Sequence, residues 1–154
     1  MLYRVGQSYH NLGQNHEAIA YLKQSLEYTP TERERSRFGL VVIPAVVNRT
    51  WLVYALVEVG EFSEAMIHAK RSLDIARSAD HQPSEALAWL ATGHLLLRKG
   101  EIEGAVGSLE TGLQLCDRWT GSLQIWRPPL ASSLGIAYAR KGDPTPGIEL
   151  SSQA

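Results

Sequence analysis

Three stretches of the chain carry the same order of apolar and polar positions. They read "GQNHEAIAYLKQSL" from Gly13, "GEFSEAMIHAKRSL" from Gly60 and "GEIEGAVGSLETGL" from Gly100. Each glycine is followed at the same distances by small or apolar residues. Ala18, Ala65 and Ala105 come first, then Leu22, Ala69 and Leu109, then Leu26, Leu73 and Leu113. Steps of four residues put these positions on one face of an α-helix.

A fourth glycine of the same kind is Gly142, and the four recur every 40–47 residues. A period in this range marks a stacked repeat. Seven residues before each stand Gly6, Val53, Gly93 and Gly135. A glycine inside a helix costs about 1 kcal/mol relative to alanine, so the recurrence needs a mechanical reason. Two antiparallel helices joined by a tight turn cross closely, and a missing Cβ lets their backbones approach.

Each repeat therefore predicts a helix, a turn and a second helix. First helices are expected at 1–12, 44–59, 83–98 and 126–141, and second helices at 15–28, 62–79 and 102–118, with a doubtful stub after Pro144. Pro44 and Pro83 suit helix starts, where a missing N–H does no harm. Pro128 and Pro129 make a stronger break, which would delay the last first-helix to Pro129. The link from Thr29 to Ile43 contains "TERERSRFG", whose alternating charges suit a solvated turn. An anion-binding role for Arg33, Arg35 and Arg37 is the minor reading there. Trp119, in the link before Trp126, is expected to pack under the next repeat.

These residues resemble the tetratricopeptide repeat family, whose pattern places Leu-Gly and Tyr on the first helix and Ala, a large apolar residue and Pro on the second. Repeat one matches with Leu2, Val5, Gly6, Tyr9, Ala18, Leu22 and Pro30. Repeat three offers Trp89, Thr92, Gly93, Leu96, Ala105 and Leu109. Repeat four offers Ala131, Leu134, Gly135 and Tyr138, and repeat two is the poorest. The resemblance implies an all-α fold, a right-handed superhelical solenoid of antiparallel helix pairs. It implies one domain over 1–154 with repeats near 1–30, 44–79, 83–118 and 126–154, the last incomplete. The period exceeds the usual length of about 34 residues. In this it looks like the extended repeats in the helical arms of bacterial signalling ATPases and nucleotide cyclases. Repeats of the HEAT and armadillo type have the right period but would not keep the Gly and Tyr register. Both ends look cut, so the expectation is a piece of a longer protein whose apolar end faces pair as a two-fold homodimer.

Composition narrows the function. The chain has 154 residues, 44% hydrophobic and 20% charged, with a formal net charge of −1. That balance is globular and lacks the basic excess that phosphate backbones demand, so no nucleic acid is expected. Cys116 is the single cysteine, which rules out an internal disulfide and fits a cytoplasmic protein. The most apolar run, Phe38 to Val47, is too short for a bilayer span, and no membrane association is expected.

Catalysis finds no footing. "HEAIAY" opens like a zinc-protease helix, but Ala20 stands where the second histidine is due. His10, His68, His81 and His94 belong to different repeats or links. Ser108 and Cys116 lack a nucleophile's context, and Glu101 and Glu103 suit a helix start. No enzyme, metal or cofactor is expected.

What remains is recognition. The resemblance implies that first helices line a concave face where a peptide or partner helix lies. Its positions would be Tyr3, Gln7 and His10; Val47, Thr50, Tyr54 and Val57; Leu87, Leu90, His94, Leu97 and Arg98; and Ser132, Ile136 and Arg140. The family's clamp for a terminal carboxylate uses Lys, Arg and Asn. Tyr3, Gln7 and Tyr54 stand in those places, so no such clamp is expected. Leu87, Leu90 and Leu97 either make an apolar groove wall or pack against a neighbouring repeat, and both readings stay open. The expected function is a non-catalytic protein–protein interaction or scaffold module. The alternative is a small-molecule-sensing regulatory arm of a signalling ATPase, cyclase or transcription regulator.

Overall fold

The computed structural model describes residues 2–118 and 122–143, together with Thr145 and Gly147. Trp119 and most of the stub after Pro144 lie outside the described residues. Seven α-helices can be bounded among the described residues: α1 (Leu2–Asn11), α2 (Asn15–Glu27), α3 (Pro44–Glu58), α4 (Phe62–Ser78), α5 (Gln82–Lys99), α6 (Ile102–Arg118) and α7 (Arg127–Lys141). Short 3-10 turns occupy Thr31–Arg33 and Ser122–Trp126. The last helix begins at Arg127 and not at Pro129. Pro128 and Pro129 fit its first turn, whose N–H groups have no intrahelical acceptor.

The fold is all-α, with helices packed in consecutive pairs. α1 packs on α2, α3 on α4 and α5 on α6, and each pair packs on the next through α2–α3, α4–α5 and α6–α7. The first helices also touch in series, α1 to α3, α3 to α5 and α5 to α7. Among the described residues, the backbones of α2, α4 and α6 do not approach one another in this way, and α2 reaches α4 through the ion pair of Lys23 with Glu64 at 2.7 Å. The backbones of the first helices thus lie closer in series than those of the second helices, which makes the first-helix side the inner one.

The glycine register explains this geometry. Gly13, Gly60, Gly100 and Gly142 all have positive φ, between +76° and +92°, so each closes its helix in the left-handed conformation. A Cβ on Gly6 would sit 2.5 Å from Leu22 Cγ and 3.1 Å from the Ala18 carbonyl. One on Gly93 would collide with Leu109. In repeat two, Val53 fills the glycine's place and Ala69 the leucine's, and both are fully buried. The bulk has changed sides without changing the space. Gly135 lies against Gly147, the counterpart of Ala18.

The link between α2 and α3 departs from the expected solvated turn. Glu34 is buried, its carboxylate held between Arg49 of α3 at 2.6 Å and Arg71 of α4 at 2.5 Å. At the far end the Ile43 N–H donates to Ser84 Oγ of α5 at 2.9 Å. Between these pins Phe38 adopts φ +50° and leaves its ring largely exposed. Glu34 is therefore the carboxylate that Arg49 and Arg71 share. No helix among the described residues is long and apolar enough to cross a membrane.

Candidate functional site

The inner face takes its character from the positions that the packing of first helices leaves half open. On α3 these are Val47, Trp51, Tyr54 and Glu58, at steps of four, three and four. α1 contributes Gln7 and His10, α5 His94 and Arg98, and α7 Ser132, Ile136 and Arg140.

Four of these side chains form a ladder across three helix pairs. The rings of His10 and Trp51 lie 5.7 Å apart, Trp51 and Tyr54 meet edge-on at 5.7 Å, and Tyr54 and His94 meet edge-on at 4.9 Å. Edge-to-face contacts at these separations add to the burial of the rings themselves. His10 is oriented from the second helix of its own pair, since its Nδ1 donates to Asn15 Oδ1 at 2.8 Å. At one edge of the ladder Arg98 pairs with Glu58 at 3.2 Å. Arg140 reaches from α7 to donate to the Leu97 carbonyl at 3.0 Å.

Burial shifts two members of the ladder, Tyr54 and His94. It pushes the Tyr54 hydroxyl well above the ordinary tyrosine range, so the group stays neutral. It also lowers His94 below the usual histidine value, with Arg98 and His10 acting in the same direction and Glu58 against them. Away from this face, burial and then the Asp117 carboxylate raise the Cys116 thiol to about 11, Arg127 opposing. That thiol is not an activated nucleophile at neutral pH. Among the described residues no three metal-ligating side chains come together.

Of the residues expected on this face, the structure brings Gln7, His10, Val47, Tyr54, His94, Arg98, Ser132, Ile136 and Arg140 to it. Six others are buried. Leu87, Leu90 and Leu97 are 5%, 7% and 6% exposed and belong to the core that α5 shares with its neighbours. Of the two readings left open for them, packing is the one the structure shows, because α5 is covered by α3, α4, α6 and α7. Thr50, Val57 and Tyr3 are buried as well. Trp51 and Glu58 are the additions. The spacing of Val47 and Tyr54 on one helix face already pointed to both.

Comparison with known proteins agrees with this architecture. The tetratricopeptide repeat family model matches residues 1–32. No curated protein matches the chain. Among solved structures, a Rap protein crystallised in complex with Competence and Sporulation Factor matches with a TM-score of 0.79. That match covers 99% of this chain at 19% identity, which shows a shared fold. The chain spans 40% of that Rap protein's length. Neither match supports the narrower likeness to arms of signalling ATPases and cyclases.

Proposed function

We propose that the chain is a non-catalytic recognition module that binds a peptide or protein segment along its first-helix face. The observation that carries this reading is the ladder of His10, Trp51, Tyr54 and His94. It sets partly buried rings from three successive repeats in contact with one another. Rings of this kind offer large, stiff contact area at low entropic cost. The Rap protein of the same fold was crystallised with a factor bound, which supports a partner of that general sort here. A sensing arm for a small molecule would need an enclosed pocket with converging polar groups, and the ladder instead lies open along a strip. The single buried cysteine fits a reducing, cytoplasmic setting.

Selection from a displayed library of short random peptides tests the reading. Binders should lose about tenfold or more in affinity with Ile136→Asp or Trp51→Ala. They should be indifferent to Ile67→Asp, an exposed position on α4. A library that yields no binders, or binders insensitive to the first two changes, would sink it.

A further inference from the structure

We propose that the segment bound on this face carries an acidic side chain, received by Arg140 and Arg98 at its edge. The inference rests on the recognition reading above and goes beyond it by assigning the partner's charge.

The charge count on the face is unequal. Its carboxylate and guanidinium side chains are Glu58, Arg98 and Arg140, with the rings of His10, Tyr54 and His94 between. Glu58 answers Arg98 through an exposed pair, of a kind worth little in water. Among the described residues Arg140 has no carboxylate within ion-pair distance. Its one hydrogen bond goes to the Leu97 carbonyl, which spends one of five N–H donors and fixes where the rest point from. That carbonyl belongs to the turn of α5 that also carries Arg98, so the two guanidiniums stand at the same end of α5 and α7. One carboxylate for two guanidiniums leaves a cationic corner, and Arg presents a fork suited to carboxylate.

The surroundings choose between carboxylate sources. One turn inside Arg98 lies His94 on Tyr54, and one turn inside Arg140 lies Ile136, 49% exposed. The apolar and aromatic floor is therefore beside the cations and continues past them to Trp51 and His10. A chain following that floor passes the arginines and does not stop at them. An aspartate or glutamate side chain next to an apolar residue fits this order better than a chain terminus.

The same displayed library decides the matter, with peptides joined to the carrier at their C-termini so that only side chains can supply the charge. Arg140→Gln, Arg98→Gln, the double variant carrying both, and a control, Lys70→Gln on the outer surface of α4, are compared, each with its circular dichroism melt. The expected result is enrichment of Asp and Glu among binders, with about tenfold loss of affinity in Arg140→Gln and in the double variant. Added salt should weaken wild-type binding and leave the double variant's unchanged. Binders that depend on Trp51 but show no acidic enrichment, and that ignore Arg140→Gln, would overturn the acidic partner and leave the recognition face standing. No binders, or binders indifferent to Trp51→Ala, would overturn both.

Discussion

A missing methyl group at Gly6 decides how closely two backbones meet, and its effect is open to direct measurement. Gly6→Ala drives a Cβ into Leu22 and should destabilise the protein by about 1–3 kcal/mol, the usual cost of overpacking. Gly107→Ala provides the contrast. That helical glycine is exposed with nothing near its absent Cβ, so the change should stabilise by about 1 kcal/mol. Urea denaturation of the two variants checks both signs, and equal shifts would refute the close-approach argument. The close approach was readable beforehand because the glycine recurs in register. The burial of Leu90 was not, since periodicity marks the apolar faces of a helix but not how many neighbours cover them. Thr50 was expected where Trp51 belongs because repeat two matches the repeat pattern least well. His94 supplies a pH test at this same scale. Its folded form resists protonation, so on acidification the unfolded chain takes up the proton first. Stability should be full above the ordinary value of 6.5 and fall as the pH drops through and below it. His68 and His81, lowered chiefly by burial, act in the same sense. A thermal midpoint that drops between neutral pH and about pH 5 is expected, with a smaller drop in His94→Phe. A midpoint flat across that window would contradict it.

Among the elements, the link between α2 and α3 behaves least as its composition suggests. Glu34 holds it to two helices at once, and Arg49 is almost wholly enclosed when that contact forms. Glu34→Gln leaves a buried guanidinium without its counter-charge and should cost about 3 kcal/mol. Arg71→Gln removes a half-exposed partner and should cost about 1 kcal/mol or less. Trypsin should cut at Arg35 and Arg37 faster in Glu34→Gln than in wild type, as the strap between the pins loosens. Unchanged cleavage with an unchanged denaturation midpoint would show that the pin is dispensable. The helices themselves were legible to within a residue or two of their ends, because glycine turns and proline starts are local signals. The pin was not. Its partners lie 15 and 37 residues from Glu34, outside any repeat period, and an alternation of charges looks the same whether its carboxylates face water or arginine.

On the scale of the whole molecule, contacts run from each helix pair to the next. Such a stack opens in pieces, with its least covered pair first. α5 is covered by four helices and α1 by two. Amide hydrogen exchange should therefore be slowest in α5 and faster in α1 and α2, and a single uniform exchange free energy would argue for one indivisible core. Cys116 gives this view a clock. It is the only thiol, fully enclosed in the core shared by α5, α6 and α7, and its raised pKa leaves little thiolate at neutral pH. A disulfide reagent can reach it only while that core has parted. The second-by-second colour change of such a reagent would count those partings one molecule at a time, with no label added and no residue replaced.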